Sequence, residues 1–352
     1  MNFGSDNMGA VAPEIMAAIA AANEGMAAAY GADEITARLD DQFSALFETR
    51  ARIFPVITGG AANSIALAAL SPPWGSVFCH PESHINVDEC GSPEFYSGGA
   101  KLITVAGDDA KLTPAALEAQ LKAAWIGVVH SVQPAAVSIT QATECGAVYS
   151  PDEVASISEV VKEFGLRFHM DGARFANAVA HLGCAPADVT WRAGVEVLSF
   201  GATKGGAMAA EAIVVFGADA GNGKVDDLCR EIEYRRKRGG HLLSKMRYCS
   251  AQLEAYIADG QWLRLAGHAN AMAKRLSDGL AALPGARIAH PTQANEVFVT
   301  LPEPVIVALL EEGYGFHRWG DRKASNTVRL VTCFTTSAEA VDGLIAAAGE
   351  KI

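Results

Sequence analysis

The sequence predicts an α/β protein with a mainly parallel β-sheet sandwiched by helices, followed by a smaller C-terminal α+β domain. Short apolar runs alternate with longer helical patterns for about 200 residues, which is the signature of βαβ units. After about residue 230 the pattern changes to long helical stretches closed by a short mixed segment. The 352-residue length suffices for one large domain or two ordinary ones. We expect a large domain over residues 1–250 and a small one over 251–352.

Taken in order, the strand candidates are Ala51–Ile57, Ser76–Cys79, Lys101–Val105, Ile126–Ser131, Arg167–Met170, Val195–Phe200 and Glu211–Phe216. Between them, Asn63–Leu70, Thr113–Ala124 and Pro151–Phe164 repeat apolar residues at helical spacing. The last of these opens with Ser150-Pro151-Asp152-Glu153, an N-cap followed by proline and acids. Helical patterns then cover His241–Ile257 and Gly260–Leu283. The tail offers strands at Glu296–Leu301 and Val328–Val331 and a helix over Glu303–Glu312.

Lys and Arg number 28 against 40 Asp and Glu, a net charge of −12, which argues against nucleic-acid binding. Hydrophobic residues make up 50% of the chain, too many for disorder, yet no apolar run reaches the roughly 18 residues of a membrane span. No Lys or Arg precedes Arg38, and Asp6 and Glu14 sit where a signal peptide would carry its basic region, so a cytoplasmic protein is expected. The 7 cysteines are scattered without a C-x-x-C pair and suggest neither a disulfide framework nor a zinc ribbon. His80 and His84 flank Pro81 with no third ligand nearby in sequence, so no metal site is expected.

The chemistry concentrates after the apolar runs. Lys204 lies in the Gly/Thr-rich turn Gly201-Ala202-Thr203-Lys204-Gly205-Gly206, just past a strand candidate. Ligands collect at the carboxyl ends of strands in open α/β sheets, and a lysine held there can form a Schiff base with a carbonyl cofactor; a plain surface-loop lysine is the alternative. Asp171 follows another strand candidate, 33 residues earlier, a gap that fits one βαβ crossover to the same sheet edge. Its carboxylate suits a pyridinium nitrogen, or else it caps a helix or pairs with Arg174. Thr58-Gly59-Gly60-Ala61 joins a strand to a helix, where free amides can receive a phosphate. The stretch from Gly217 to Gly223-Lys224 has five intervening residues and is no P-loop. The run Arg235-Arg236-Lys237-Arg238 reads as a solvated helix end or as a phosphate contact across a subunit interface.

Together these motifs resemble the L-threonine aldolase (low-specificity) branch of the β-eliminating lyases, pyridoxal-phosphate enzymes of the aspartate-aminotransferase-like fold (fold type I). The resemblance runs from Gly4-Ser5-Asp6-Asn7 through Tyr30–Thr36, Ser83-His84-Ile85 and His169–Ala178 to Val328–Thr332. It implies cleavage of L-threonine, L-allo-threonine and related β-hydroxy-α-amino acids to glycine and an aldehyde, with pyridoxal 5'-phosphate as cofactor. It also implies that Lys204 bonds the cofactor, Asp171 partners its ring nitrogen and His84 stacks on the ring. Gly59, Gly60 and Ala61 would hold the phosphate together with Arg235, donated by a neighbouring subunit. Ser5, Arg174 and Arg329 would bind the substrate carboxylate, and a homodimer or homotetramer with shared active sites follows from the same likeness.

Where the family carries a second histidine, this chain reads Ile139-Thr140-Gln141, which points to Gln141 as its replacement, and His84 or a water it orders is the expected base. Asn7 stands where the family's opening has Thr, and Leu243-Ser244 where it has Arg-Gln. The competing readings are β-elimination or racemisation with the same cofactor, and a non-catalytic binding protein on the same fold.

Overall fold

A computed structural model describes residues 1–217, 223–320 and 325–351; the interior of the Gly217–Gly223 stretch lies outside them. The strands are β1 Ala51–Val56, β2 Gly75–Cys79, β3 Lys101–Thr104, β4 Gln133–Thr140, β5 Arg167–Gly172, β6 Val197–Gly201, β7 Glu211–Phe216, β8 Arg287–Ile288, β9 Glu296–Thr300, β10 His317–Arg318 and β11 Thr327–Val331. The first seven form one sheet in the order β1-β7-β6-β5-β4-β2-β3, and the last four form another in the order β10-β11-β9-β8. In the large sheet β3, β2, β4, β5 and β6 run parallel, while β7 lies antiparallel to both β6 and β1. That arrangement brings the carboxyl ends of β1, β4, β5 and β6 and the amino end of β7 to one edge.

The helices before the large-sheet strands end are α1 Pro13–Ala21, α2 Glu34–Phe47, α3 Gly59–Leu70, α4 His84–Val87, α5 Ser92–Ser97, α6 Pro114–Lys122, α7 Pro151–Glu163 and α8 Phe175–Leu182. Five more follow: α9 Gly223–Arg238, α10 Arg247–Ile257, α11 Gln261–Ala281, α12 Glu303–Glu311 and α13 Ala338–Gly349. None among the described residues is long and apolar enough to cross a membrane.

Strands β2, β6 and β7 are buried along their whole length, as a sheet covered on both faces requires. Their alternation divides the core. Ile213 and Val215 pack with Ile65 and Leu67 of α3 and Leu228 and Ile232 of α9, whereas Val214 and Phe216 pack with Phe43 and Phe47 of α2 and Leu253 of α10. The small sheet has its own core, in which Val297, Val299, Val328 and Leu330 meet Leu276 and Leu280 of α11 and Val341 and Leu344 of α13. Phe3 joins that core, which ties the N-terminus to the second sheet. Residue 250 falls inside α10.

Two elements differ from the sequence reading. The apolar run Ile126–Ser131 is no strand: it is a turn whose Val129 is 93% exposed, and the strand begins two residues later, at Gln133. The cause is Gln133, whose side chain accepts from the Gly127 amide and donates to the carbonyls of Trp125, Val128 and Ser131. One side chain thus closes the loop by filling its polar backbone needs. The helix expected from His241 starts at Arg247, while the charged segment before Gly239-Gly240 is a 16-residue helix, α9. Its apolar face is sparse because only Leu228, Cys229, Ile232 and Arg236 are buried.

Candidate active site

The polar edge of the large sheet opens into a cavity of about 270 Å³. Lys204 and Asp171 line it together with Gly59, Gly60, His84 and Arg174, all six anticipated from sequence. Lys204 sits in the turn after β6, and Asp171 lies near the end of β5, directly beside β6 with Asp171 opposite Ser199. Parallel pairing of adjacent strands is what brings the two motifs together.

Asp171 is fixed at both oxygens. Its Oδ2 accepts from Asn63 Nδ2 at 2.8 Å and its Oδ1 from the Ala173 amide at 3.0 Å. Asn63 is held in turn by Glu89, whose Oε1 accepts from Asn63 at 2.8 Å and lies 2.9 Å from His84 Nδ1. This hydrogen bond raises the His84 pKa above the ordinary value, against burial, so the imidazole favours its protonated form. The His84 side chain is 43% exposed while that of Glu89 is 2% exposed, leaving a ring face open over an anchored edge.

The first turn of α3 is capped by Thr58, whose Oγ1 accepts from the Ala61 amide at 3.2 Å. The amides of Gly59 and Gly60 belong to the group that a helix leaves without internal partners. A side chain on Gly59 would meet nothing within 4 Å, and one on Gly60 would come within 3.6 Å of Glu89, so open space lies over this helix end. An anion fits there. Ala61 does not line the cavity, since its amide already serves the cap.

Around Arg174 the charges are paired. Its Nε and Nη2 donate to Asp6 at 2.8 and 3.1 Å, and its Nη1 lies 3.4 Å from Glu296 Oε2. Burial pushes Asp6 toward neutrality, but Arg174 and Lys204 outweigh it and hold its carboxyl below the usual range. Glu296 also approaches Arg329 Nη1 at 3.8 Å, so one buried carboxylate links the two arginines; burial raises its pKa. Arg329 itself, with its guanidinium 5.4 Å from the Trp319 ring, lines a neighbouring cavity of about 810 Å³. Ser5 lies outside the first cavity: its hydroxyl accepts from the Asn7 amide and caps a short turn, and Asn7 is the residue that reaches the cavity.

Arg235 stands apart. On α9 it donates to Glu231 and to the Tyr96 carbonyl, lining a different surface cavity. Gln141 is fully buried, with both ends of its amide engaged by the backbone of Tyr149, so it does not occupy a histidine's place in the cavity. Glu144 lines the cavity instead, and so does Glu211 at the amino end of β7, whose Oε2 accepts from the Ala202 amide and braces the lysine turn. Burial pushes Glu144 and Glu211 up to about 7 each. Sequence reading missed Asn63, Glu89, Glu144, Glu211 and Glu296. Asn63, Glu89, Glu144 and Glu211 lie within five residues of a motif quoted above, a signal too weak to assign them, and Glu296 lies near none.

A family model described as β-eliminating lyase matches residues 2–303. The chain is 47% identical over 316 residues to a low specificity L-threonine aldolase from a Pseudomonas species, covering 90% of this chain and 88% of that one. A structure of Leishmania major threonine aldolase superposes with a TM-score of 0.90 at 28% identity over 99% of this chain and 98% of that one. An aspartate aminotransferase from Rhodobacter sphaeroides shares the fold alone, with a TM-score of 0.71 at 16% identity over 99% of this chain and 90% of its own. The chain belongs to the β-eliminating lyase family, in its L-threonine aldolase branch.

Proposed function

We propose that the protein reversibly cleaves L-threonine, L-allo-threonine and related β-hydroxy-α-amino acids to glycine and an aldehyde, using pyridoxal 5'-phosphate. One observation supports this above all: Lys204 and Asp171, from the ends of adjoining strands, line one cavity with an open helix N-terminus and Arg174. The donor set fits the cofactor at three points. Lys204 would bond its aldehyde carbon, Asp171 would keep the ring nitrogen protonated, and the amides of Gly59 and Gly60 would hold the phosphate, Ala61 being left to the Thr58 cap. His84 would stack on the ring. When bound, the cofactor supplies an electron sink for the pair released at Cα.

The protein's own groups then choose the bond. Arg174, with Arg329 linked to it through Glu296 from the neighbouring cavity, would grip the substrate carboxylate, and a guanidinium has five donors, enough to keep Asp6 and Glu296 while taking a further acceptor; Ser5, which caps a turn outside the cavity, is not assigned to it. A carboxylate held at a fixed place sets the Cα–Cβ bond in line for cleavage, which is where orientation lowers the barrier. Asn63 and the Ala173 amide hold Asp171 in place during turnover.

The same reading extends to assembly. We place the protein in the cytoplasm as a homodimer or homotetramer with shared sites; what supports the sharing is Arg235, which lies away from the cavity of its own chain. Purified protein given pyridoxal phosphate and L-threonine should release acetaldehyde and glycine, and Lys204→Ala should lose both this turnover and the visible absorbance of lysine-bound cofactor. Wild-type turnover in Lys204→Ala would overturn the assignment.

A further inference from the structure

Resting on the aldolase reading, we propose that Glu144 is the catalytic base that takes the β-hydroxyl proton of the substrate. Three carboxylates line the cavity, and they are not equivalent. Asp171 has both oxygens engaged, by Asn63 and the Ala173 amide. Glu211 is held by the Ala202 amide and by Thr203. Glu144 is half engaged. Its Oε1 accepts from the His84 amide at 2.8 Å and from Thr140 Oγ1 at 2.8 Å, while Oε2, shielded from solvent, has no partner among the described residues.

The loop that carries Glu144 is built to hold it. Gln141 is clamped to Tyr149, and the Thr143 amide donates to Ala147 while its hydroxyl donates to the Asp109 carbonyl. A carboxylate fixed through one oxygen presents the other at a defined place. His84, the base expected from sequence, suits the task less well: Glu89 holds its Nδ1 and favours the protonated ring, which donates. Glu144 is faced by His84 from α4, Asp171 from β5, Arg174 at the start of α8, Cys79 at the end of β2, and Cys145 and Tyr149 beside it in its own loop. Burial first and Asp171 second push its carboxyl up to about 7. A base so placed is ionised above neutrality and can return the proton it takes.

The step balances. Glu144 Oε2 gains the proton, the O–H pair becomes the second bond of the aldehyde carbonyl, and the Cα–Cβ pair remains with the glycine half until a proton is added at Cα. In the reverse direction Glu144 returns its proton to the new hydroxyl.

The test compares wild type, Glu144→Gln and Glu144→Asp as cofactor-loaded enzymes. For L-threonine, Glu144→Gln should lower kcat about 100-fold or more with KM changed less than about threefold, as loss of a general base predicts. The acid limb of kcat near pH 7 should disappear, and a carboxyl band titrating there in pH-difference infrared spectra should vanish with it. Glu144→Asp should recover part of kcat with a displaced limb. Exchange of the glycine Cα proton with solvent deuterium involves no β-hydroxyl, so its loss should be at least about tenfold smaller than that of aldol cleavage. An unchanged acid limb, or equal loss of exchange and cleavage, overturns the proposal. A wild type that exchanges glycine but releases no aldehyde shows that the aldolase reading has failed, and the base assignment with it.

Discussion

Asp6 shows how much of this site depends on one buried charge. It and Arg174 are almost fully enclosed, with side chains 1% and 12% exposed, and removing one member of such a pair leaves the other unpaired in a poor solvent for ions. Asp6→Asn should therefore destabilise the protein by about 3 kcal/mol in urea unfolding and raise KM for L-threonine more than it lowers kcat. Unchanged stability and KM would show that Asp6 does not position the arginine. The residues that carry this network were unevenly legible in sequence. Lys204 and Asp171 could be found because each closes an apolar strand within its own few residues. Glu89, Glu144 and Glu296 could not, since nothing local tells a buried, engaged acid from an exposed one, and the partner can lie far along the chain, as the 60 residues between Glu144 and His84 show.

At the scale of elements, capping chemistry was the most readable. Ser150-Pro151-Asp152-Glu153 forms a full capping box, with the Ser150 hydroxyl accepting from the Glu153 amide and Glu153 accepting from the Ser150 amide. Thr58 performs the single-sided version at α3, where the cap and the proposed phosphate cradle share one turn. Thr58→Ala should cost about 1 kcal/mol of stability and weaken retention of pyridoxal phosphate, while Thr58→Ser keeps both, as equilibrium unfolding and cofactor release by dialysis would report. Equal behaviour of the two variants would separate the cap from the cradle. The misread element, Ile126–Ser131, is apolar by composition but is closed as a loop by Gln133, and hydrophobic pattern cannot register a side chain that satisfies four backbone groups.

For the whole molecule, two covered sheets place the cavity where β-strand ends, α3 and the arginine network converge. Arg235 lies outside that convergence, and the proposed shared site gives it a role in a neighbouring copy. Mixing subunits of inactive Lys204→Ala and Arg235→Ala should then regenerate about a quarter of wild-type sites, because a symmetric hybrid holds one site with both changes and one with neither. No recovered activity from verified hybrids would place Arg235 outside the active site. The antiparallel β7 was not legible as such, yet it sets Glu211 at the lysine turn, a consequence of topology rather than of motif.

The central claim is that this cavity breaks the Cα–Cβ bond of a β-hydroxy amino acid, and its most direct test is mass spectrometry of early products from L-threonine turned over in heavy water. Cleavage predicts acetaldehyde and glycine in equal amounts, each glycine carrying one solvent deuterium at Cα. Ammonia with 2-oxobutyrate, or threonine recovered with deuterium at its own Cα and no aldehyde, would contradict it.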